Sequence, residues 1–199
     1  INKNFYYKIF NYIINYFFVL TILLLFWWLL ILLCIVIRID SKGSPIFKQM
    51  RVGLNGKNFT CYKLRTMKIE TENIETQRVS KNSITRFGRY LRSTKIDEIP
   101  QIINILKGEM SLIGPRPGLP SQIELLKKRN ELKVLNLKPG ITGLSQINNI
   151  DMSDPKKLAE SDRNYMYLRS ILIDIKIVFL TLFGKGQGDK VNDTETTIN

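Results

Sequence analysis

The sequence predicts an α+β protein in which a membrane-inserted N-terminal helix precedes a mainly helical domain with a small β element and interfacial amphipathic helices. Three observations predict this fold class. An uncharged apolar run covers residues 17–37, an Asn-Gly turn between short apolar runs follows it, and helical patterns fill most of the chain after residue 84. The 199 residues give room for one domain plus an anchor. We therefore assign residues 1–37 to the anchor, 38–184 to the domain and 185–199 to a polar tail.

The apolar run is predicted to enter a membrane. It reads FFVLTILLLFWWLLILLCIVI from Phe17 to Ile37 and contains no charged residue. As an α-helix these 21 residues reach about 31 Å, close to the thickness of a bilayer core. A cleavable signal peptide has a shorter apolar core and a small-residue cleavage site, which Arg38-Ile39-Asp40 is not. A soluble helix would be apolar on one side only, whereas this run is apolar on every face.

The charges beside the run bear on its topology. Lys3 and Lys8 precede it, and Arg38 and Lys42 follow it. The excess of positive charge after the run places the large domain on the cytoplasmic side of the membrane. The same rule does not place the N-terminus, so a helix that crosses the bilayer and a re-entrant hairpin both fit.

Turn residues delimit the elements that follow the anchor. A loop is predicted at residues 40–45, and an Asn-Gly turn at 54–57 lies between two short apolar runs. Residues 59–64 predict a strand. Residues 68–83 are polar with few apolar anchors, which is typical of a surface loop or a short helix.

Helices alternate with turn-rich loops in the rest of the chain. The predicted helices cover residues 84–91, 96–106, 121–132, 155–170 and 172–183. Ser121 and Glu124 have the spacing of a capping box. Proline and glycine make residues 114–120 irregular and predict a turn-rich loop at 138–143. The last helix is almost entirely apolar, so it fits the hydrophobic core and the membrane interface equally well.

Composition excludes several kinds of chemistry. The chain has no histidine, which removes Ser-His-Asp triads, histidine bases and histidine metal sites. Cys34 and Cys61 are far apart and form neither a disulfide nor a zinc pattern. The formal net charge of +13 favours anionic partners, namely nucleic acid, acidic lipid head groups or phosphorylated substrates. Helix-turn-helix, zinc-finger and aromatic RNA-binding signatures are absent, so we expect no nucleic-acid partner.

The densest set of chemically useful side chains lies between residues 92 and 117. Asp97 and Glu98 stand at the start of a predicted helix, where free N–H groups and the helix dipole favour negative charge. An isolated Asp-Glu pair at this position is ordinarily a helix stabiliser. Here Arg92 precedes the pair and Arg116 follows it, and a carboxylate that handles phosphates needs such cations nearby. The pair is therefore a candidate catalytic site.

Two further segments carry residues suited to phosphate binding. Lys63 and Arg65 alternate with apolar neighbours, so on a strand both would project from one face, and a solvated basic face is the alternative interpretation. Glycines at 138–143 expose backbone amides that can meet a phosphate, although most Pro-Gly turns only reverse the chain.

Together these segments resemble the bacterial sugar transferase family, the monotopic phosphoglycosyl transferases, over nearly the whole chain. The matching pieces are IFKQMRVGLNGKNFTCYKLRTM at 46–67, RFGRYLRSTKIDEIPQIINILKGEMSLIGPRP at 86–117, KPGITGLSQIN at 138–148 and DIKIVFLTLF at 174–183. Each piece alone is a weak signal. Their order and spacing together make the match specific.

The resemblance implies transfer of a sugar 1-phosphate from a nucleotide sugar, expected to be a UDP-sugar, to a polyprenyl (undecaprenyl) phosphate. It makes Asp97 the covalent nucleophile, with Glu98 helping it to hold Mg²⁺ or to manage protons. The residues that it implies as phosphate or substrate contacts are Lys63, Arg65, Arg92, Arg116, Lys138, Thr142 and Gln146. Asp162 occupies a later acidic position of the family, and its role is left open.

The resemblance also implies a location at the bacterial inner (cytoplasmic) membrane and a product that initiates a cell-envelope glycan or glycoconjugate. A homodimer is left open. Small members of the family break the membrane helix with a Ser-Pro pair and form a re-entrant hairpin. The corresponding place here is near Trp27-Trp28, and the run contains no proline. We still expect a hairpin, because the segments that would dock a bent helix match closely, with a straight spanning helix as the alternative.

Two other functions fit parts of the sequence. A membrane-tethered lipid- or nucleic-acid-binding module would explain the net charge without catalysis. A scaffold subunit of an envelope-polysaccharide assembly would keep the fold and lose the activity, but the intact Asp97-Glu98 pair and Arg116 argue against it. Release of nucleotide from a nucleotide sugar, with and without polyprenyl phosphate, distinguishes an enzyme from both.

Overall fold

The computed structural model describes residues 3–68 and 83–186, with side chains from Tyr6 onward. It mixes helices and strands, as predicted for an α+β protein. The α-helices are α1 (Lys3–Asp40), α2 (Arg86–Ser93), α3 (Ile102–Leu106), α4 (Ile123–Glu131), α5 (Leu144–Ile147), α6 (Pro155–Leu168) and α7 (Ile171–Leu182). The strands are β1 (Ile46–Val52), β2 (Asn58–Leu64), β3 (Ser111–Ile113) and β4 (Gly140–Thr142). The predicted loop at 68–83 and the predicted tail at 185–199 fall almost entirely outside the described residues.

Helix α1 is continuous and packs lengthwise on the domain. Val19 lies in the same hydrophobic cluster as Ile105 of α3, and Leu33 lies in the same cluster as Leu91 of α2. These contacts bury one stripe of the helix, and its other side is exposed and apolar. The segment Tyr6–Asp40 is long and apolar enough to cross a membrane, judged by length and composition.

Polar side chains tie the N-terminal part of α1 to the domain. The Asn15 side-chain oxygen Oδ1 accepts a hydrogen bond from the Leu112 N–H of β3 at 2.6 Å. Two turns earlier, the Tyr7 hydroxyl donates to Asp174 Oδ2 at 2.7 Å, and Tyr165 donates to Oδ1 of the same carboxylate at 2.9 Å. The part of α1 that precedes the apolar run is therefore fixed to β3, α6 and α7.

The predicted re-entrant hairpin requires an interruption of α1, and the helix has none between Lys3 and Asp40. Thr21 Oγ1 donates back to Phe17 O at 2.9 Å, and the helix continues past it. The lack of proline accounts for this continuity, because every residue of the run keeps its backbone N–H. Re-entry into one side of the membrane stays a prediction.

Strands β1 and β2 form an antiparallel hairpin around the predicted turn. Asn55 (φ 55°) and Gly56 (φ 74°) both adopt the left-handed backbone that a tight Asn-Gly turn demands. Phe47 pairs with Lys63, so these two side chains share a face of the hairpin. Lys63 and Arg65 line one cavity together with Leu64 and Thr66, so their projection from one face of a strand stays a prediction.

Strands β3 and β4 form a parallel pair that corrects the expectation of a loop at residues 138–143. The two segments approach so closely that a Cβ on Gly140 would lie 2.1 Å from the Gly114 nitrogen, and glycine is therefore required there. Strands of three residues are too short to show alternation, and their glycine and proline neighbours resemble a turn.

The predicted capping box of α4 is wrong. Ser121 and Glu124 do not cap the helix, which begins at Ile123 after Gln122 and has no side-chain cap. The Gln122 side chain instead accepts a hydrogen bond from the Leu119 N–H at 2.9 Å and so closes the preceding turn.

Helix α7 has one side in the hydrophobic core and one exposed apolar side. Ile177 is buried in the core, whereas Leu172, Phe179 and Leu182 are exposed on the outside of the protein. This outward apolar side suits a helix that lies in the membrane interface.

Candidate active site

Asp97 and Glu98 lie in a 3₁₀ turn, which corrects their predicted place at the start of an α-helix. The predicted helix at 96–106 divides into the turn Ile96–Gln101 and α3. Lys95 precedes the turn with a left-handed backbone (φ 58°), a conformation that costs a non-glycine residue about 1–3 kcal/mol and is concentrated at functional sites. The turn packs against β2 and buries both carboxylates.

Glu98 holds two cations from distant parts of the chain. Its Oε1 accepts hydrogen bonds from Lys63 Nζ at 2.9 Å and from Arg116 Nη2 at 3.0 Å. Burial alone would raise the pKa of Glu98, but the charges of Arg116 and Lys63 outweigh it and hold the pKa well below its usual range. Glu98 is therefore ionised, and it fixes the positions of both cations.

Asp97 has the opposite electrostatic character. Burial, followed by the negative charge of Glu98, raises the pKa of Asp97 from 3.8 to about 6. The positive charges of Lys63, Arg92 and Arg116 oppose this rise without cancelling it. At neutral pH Asp97 is thus mostly ionised but poorly solvated, which suits a nucleophile or a base.

Asp97 faces a cavity of about 470 Å³ between β1, β2 and α2. Among the described residues it is the only carboxylate in the lining. The cations that line the cavity are Lys48, Arg51, Lys63, Arg65, Lys68 and Arg92. A single carboxylate among cations fits a ligand with several negative charges, such as a diphosphate.

Arg65 and Arg51 are the most deeply buried cations of this cavity. Arg65 donates through Nη2 to Ser41 O, and its Nε–H is buried without a hydrogen-bond partner among the described residues. Arg51 donates to Gln49 Oε1 at 2.6 Å and to Pro117 O at 2.9 Å. Sequence reasoning missed Arg51, although its alternation with Gln49 on β1 could have revealed it.

A buried ion pair supports the loop that carries Arg116. Arg129 donates to Asp162 Oδ2 through Nε at 2.9 Å and through Nη2 at 2.6 Å. Its Nη1 donates to the Arg116 carbonyl at 2.8 Å, and Ser145 donates to Asp162 Oδ1 at 2.7 Å. Asp162 therefore holds Arg129, which holds the backbone of Arg116. Arg129 and Asp162 are 33 residues apart, and no local pattern predicts this contact.

The three predicted substrate contacts from the 138–148 piece lie outside the Asp97 cavity. Lys138 lines a second cavity beside α1. Thr142 Oγ1 hydrogen-bonds to Thr181 Oγ1 at 2.7 Å, and Gln146 Nε2 donates to Ile141 O at 2.8 Å. Their role in binding substrate stays a prediction.

Asp97 and Glu98 fit Mg²⁺ only if substrate phosphates and water supply its remaining ligands. Among the described residues, acidic, cysteine and histidine side chains form no group of three that could hold a metal. Mg²⁺ is commonly bound by one or two carboxylates together with substrate phosphates and water. Glu98 Oε1 already accepts from Lys63 and Arg116, so Asp97 is the more available ligand.

Comparison with known proteins identifies the family. The family model described as bacterial sugar transferase matches residues 6–186. The chain is 39% identical over 156 residues to the UDP-glucose:undecaprenyl-phosphate glucose-1-phosphate transferase of Klebsiella pneumoniae, covering 74% of this chain and 34% of that protein. It is 42% identical over 141 residues to the uncharacterized sugar transferase EpsL of Bacillus subtilis, covering 70% and 69% of the two chains.

A third relative is the galactosyl transferase CpsE of Streptococcus agalactiae, which is 40% identical over 165 residues, covering 74% of this chain and 36% of that protein. A helix that is long and apolar enough to cross a membrane and a carboxylate in a cationic cavity thus occur in a chain that belongs to the bacterial sugar transferase family. This confirms the resemblance, and with it the assignment to the transferases. The chain spans about a third of the length of the Klebsiella relative.

Asp97→Asn is expected to stabilise the protein above pH 6. The raised pKa of Asp97 means that its ionisation costs folding free energy as the pH rises from 4 to 6. The uncharged variant should therefore be more stable at pH 8 by on the order of 2 kcal/mol, and the difference should shrink toward pH 4. Denaturant unfolding of the detergent-solubilised protein at both pH values measures it. Asp154→Asn, at an exposed helix N-cap, is the control and should change little, and an equal effect of Asp97→Asn at the two pH values would contradict the prediction.

The Arg129–Asp162 pair is expected to position Arg116 as well as to stabilise the fold. Asp162→Leu alone leaves a buried guanidinium unpaired and should cost about 3–5 kcal/mol of stability. Arg129→Met combined with Asp162→Leu removes both charges and should restore much of that stability. The double variant should still have low transferase activity, because the Arg116 carbonyl has lost its donor. Unfolding and transfer rates measured side by side test this, and full activity in a refolded double variant would reduce the pair to a structural role.

Proposed function

We propose that the protein transfers a sugar 1-phosphate from a UDP-sugar to undecaprenyl phosphate through a covalent phosphosugar intermediate on Asp97, initiating a cell-envelope glycan. The observation that carries this proposal is a buried carboxylate facing a cavity lined with cations. The family and the name of the Klebsiella relative, which specifies UDP-glucose and undecaprenyl phosphate, support the choice of substrates.

In the first step, an oxygen of the Asp97 carboxylate attacks the phosphorus that carries the sugar. A bond forms between Asp97 and this phosphorus, and the bond to the nucleoside monophosphate breaks, so the nucleotide leaves with the electron pair. Lys63, Arg65 and Arg92 line the same cavity and would hold the phosphoryl oxygens as charge develops on them. Arg116 is the fourth proposed phosphate contact, oriented by Glu98.

In the second step, a phosphate oxygen of undecaprenyl phosphate attacks the same phosphorus. The bond to Asp97 breaks, the carboxylate is regenerated and the sugar 1-phosphate is joined to the carrier as a diphosphate. Both leaving groups depart as anions, so neither step needs an added general acid. This is consistent with a protein that contains no histidine.

Mg²⁺ is the proposed cofactor, and Asp97 and Glu98 are the residues that would hold it. When bound, the ion would neutralise negative charge on the diphosphate. The role of Glu98 does not depend on the metal, because its ion pairs with Lys63 and Arg116 already order the cationic side of the site.

The proposed location is the bacterial inner membrane, with the domain facing the cytoplasm and the N-terminus on the same side. Tyr7 near one end of α1 is hydrogen-bonded to Asp174, and Ile37 near the other end packs in a cluster with Leu64. These two positions are about 45 Å apart along the helix. A helix that contacts the domain over this length has both of its ends near the domain. This supports an attachment in which both ends of α1 are on one side of the membrane, as they would also be in a hairpin.

Covalent trapping tests the proposed intermediate. A UDP-sugar with a ³²P label on the phosphorus that carries the sugar should label the wild-type protein when no acceptor is present, with release of one nucleoside monophosphate per chain. Added undecaprenyl phosphate should remove the label. Asp97→Asn should show neither labelling nor release, and Asp154→Asn, at an exposed N-cap, should behave as wild type. Nucleotide release by Asp97→Asn at the wild-type rate would exclude the covalent route.

Removal of divalent metal is expected to abolish nucleotide release. EDTA should stop the reaction and excess Mg²⁺ should restore it, whereas EDTA already saturated with Mg²⁺ should have no effect. Unchanged release in free EDTA would exclude the metal from the mechanism.

Cysteine labelling tests the single-sided attachment. In a background with Cys34→Ser and Cys61→Ala, the single-cysteine variants Asn2→Cys and Glu124→Cys report on the N-terminus and on an exposed position of α4. In right-side-out membrane vesicles, an impermeant maleimide should label neither variant until the membrane is permeabilised. Labelling of Asn2→Cys alone in sealed vesicles would show that α1 crosses the membrane.

A further inference from the structure

A second cavity of about 350 Å³ lies beside the N-terminal half of α1. It shares no lining residue with the Asp97 cavity. Ile105 and Met110 form part of its wall, and they belong to the hydrophobic cluster that contains Cys61, two residues before Lys63 in β2. The two cavities therefore have different walls, and Asp97 lines only the first.

The lining of this second cavity is cationic. Lys8, Lys138 and Arg169 come from α1, from the segment before β4 and from the end of α6. No carboxylate is part of the described lining. Asp174 lies behind it and accepts from the Tyr7 hydroxyl, while the Arg169 guanidinium lies 5.4 Å from the Tyr7 ring centre. One buried negative charge thus faces three positive ones, and the cavity favours an anion.

The same cavity borders the exposed apolar side of α1. Tyr12 and Tyr16 line it, and both are exposed on α1. The residues that follow toward the C-terminus, Phe17 and Leu20 among them, form the exposed apolar side of the helix. Tyrosine and lysine next to an apolar helix are typical of the head-group level of a bilayer. With α1 in a membrane, the cavity would therefore lie at the level of the lipid head groups.

We propose that this cavity binds the phosphate head group of an anionic phospholipid, as a site separate from the catalytic one. Lys8, Lys138 and Arg169 would contact the phosphate, and the acyl chains would follow the exposed apolar side of α1. This site goes beyond the proposed function, because the bound phospholipid is neither the donor nor the acceptor of the proposed reaction. In this proposal Lys138 binds a phosphate in the second cavity and not in the Asp97 cavity.

Binding of short-chain lipids tests the proposal on the full chain in detergent. Native mass spectrometry compares dihexanoyl phosphatidylglycerol, dihexanoyl phosphatidylcholine and inorganic phosphate. One phosphatidylglycerol per chain is expected to bind on the order of tenfold more tightly than phosphatidylcholine. Equal binding of the two lipids would overturn the proposal, and so would displacement of phosphatidylglycerol by an equal concentration of inorganic phosphate, which would identify a site for free anions.

Paired variants locate the site. Lys8→Gln with Arg169→Gln should weaken phosphatidylglycerol binding on the order of tenfold. Lys127→Gln with Arg163→Gln removes the same charge from exposed positions elsewhere and should have no effect. If the first double variant does not fold, Lys8→Gln alone should still weaken binding about threefold, because Lys8 is exposed. Wild-type binding by the Lys8 variants would overturn the proposal.

A kinetic measurement distinguishes this site from a carrier site. With phosphatidylcholine as the only phospholipid, the Lys8→Gln and Arg169→Gln double variant should keep the wild-type KM for undecaprenyl phosphate. A raised KM would mean that the cavity binds the acceptor substrate, and it would overturn the proposal while leaving the proposed reaction intact. If the wild-type protein transferred no sugar phosphate, the proposed function would be wrong. The phospholipid site would still be tested, because lipid binding is measured without turnover.

Discussion

The paired contacts of Glu98 with Lys63 and Arg116 hold the candidate active site together. They join β2, the 3₁₀ turn and the loop after β3, which are far apart in sequence. A carboxylate buried to this extent is costly unless cations are paired with it, and removing one partner leaves an uncompensated charge. Glu98 Oε1 thus links these three segments, and β2 and the turn also pack against each other. The Arg129–Asp162 pair extends the same arrangement by fixing the backbone of Arg116.

Two adjacent carboxylates acquire different properties from this arrangement. Glu98 is surrounded by its cations and keeps its charge, whereas burial and the charge of Glu98 raise the pKa of Asp97 to about 6. Neighbouring acids whose pKa values are pushed apart commonly divide their roles in catalysis. Here the ionised Glu98 organises the site, and the less stabilised Asp97 faces the cavity where a phosphorus atom would react. If Glu98 faced the cavity in place of Asp97, the carboxylate with the lower pKa, which is the weaker nucleophile, would meet the substrate.

The sequence predicted features that depend on neighbouring residues, and it missed those that depend on distant ones. Asn55-Gly56 predicted the hairpin, because turn chemistry is local. The contacts of Arg129 with Asp162 and of Tyr7 with Asp174 have no local pattern. The parallel β3–β4 pair was missed since its strands have three residues each. Asp97 and Glu98 were found from the cations beside them in sequence, and the family resemblance supplied their roles, while their opposite pKa shifts required the fold.

The packing of α1 connects its exposed apolar surface to the cavity that contains Asp97. Leu33 and Ile37, near the end of the apolar run, lie in one hydrophobic cluster with Leu64, and Leu64 also lines the Asp97 cavity. The helix that carries the exposed apolar surface is thus in contact with the wall of the cavity that holds the proposed nucleophile. A lipid phosphate is confined to the head-group layer, so a transferase that uses one must hold its nucleophile at that depth. Because α1 is packed along the domain and not joined to it by a flexible linker, insertion of α1 into a membrane at a given depth would also determine the depth of Asp97.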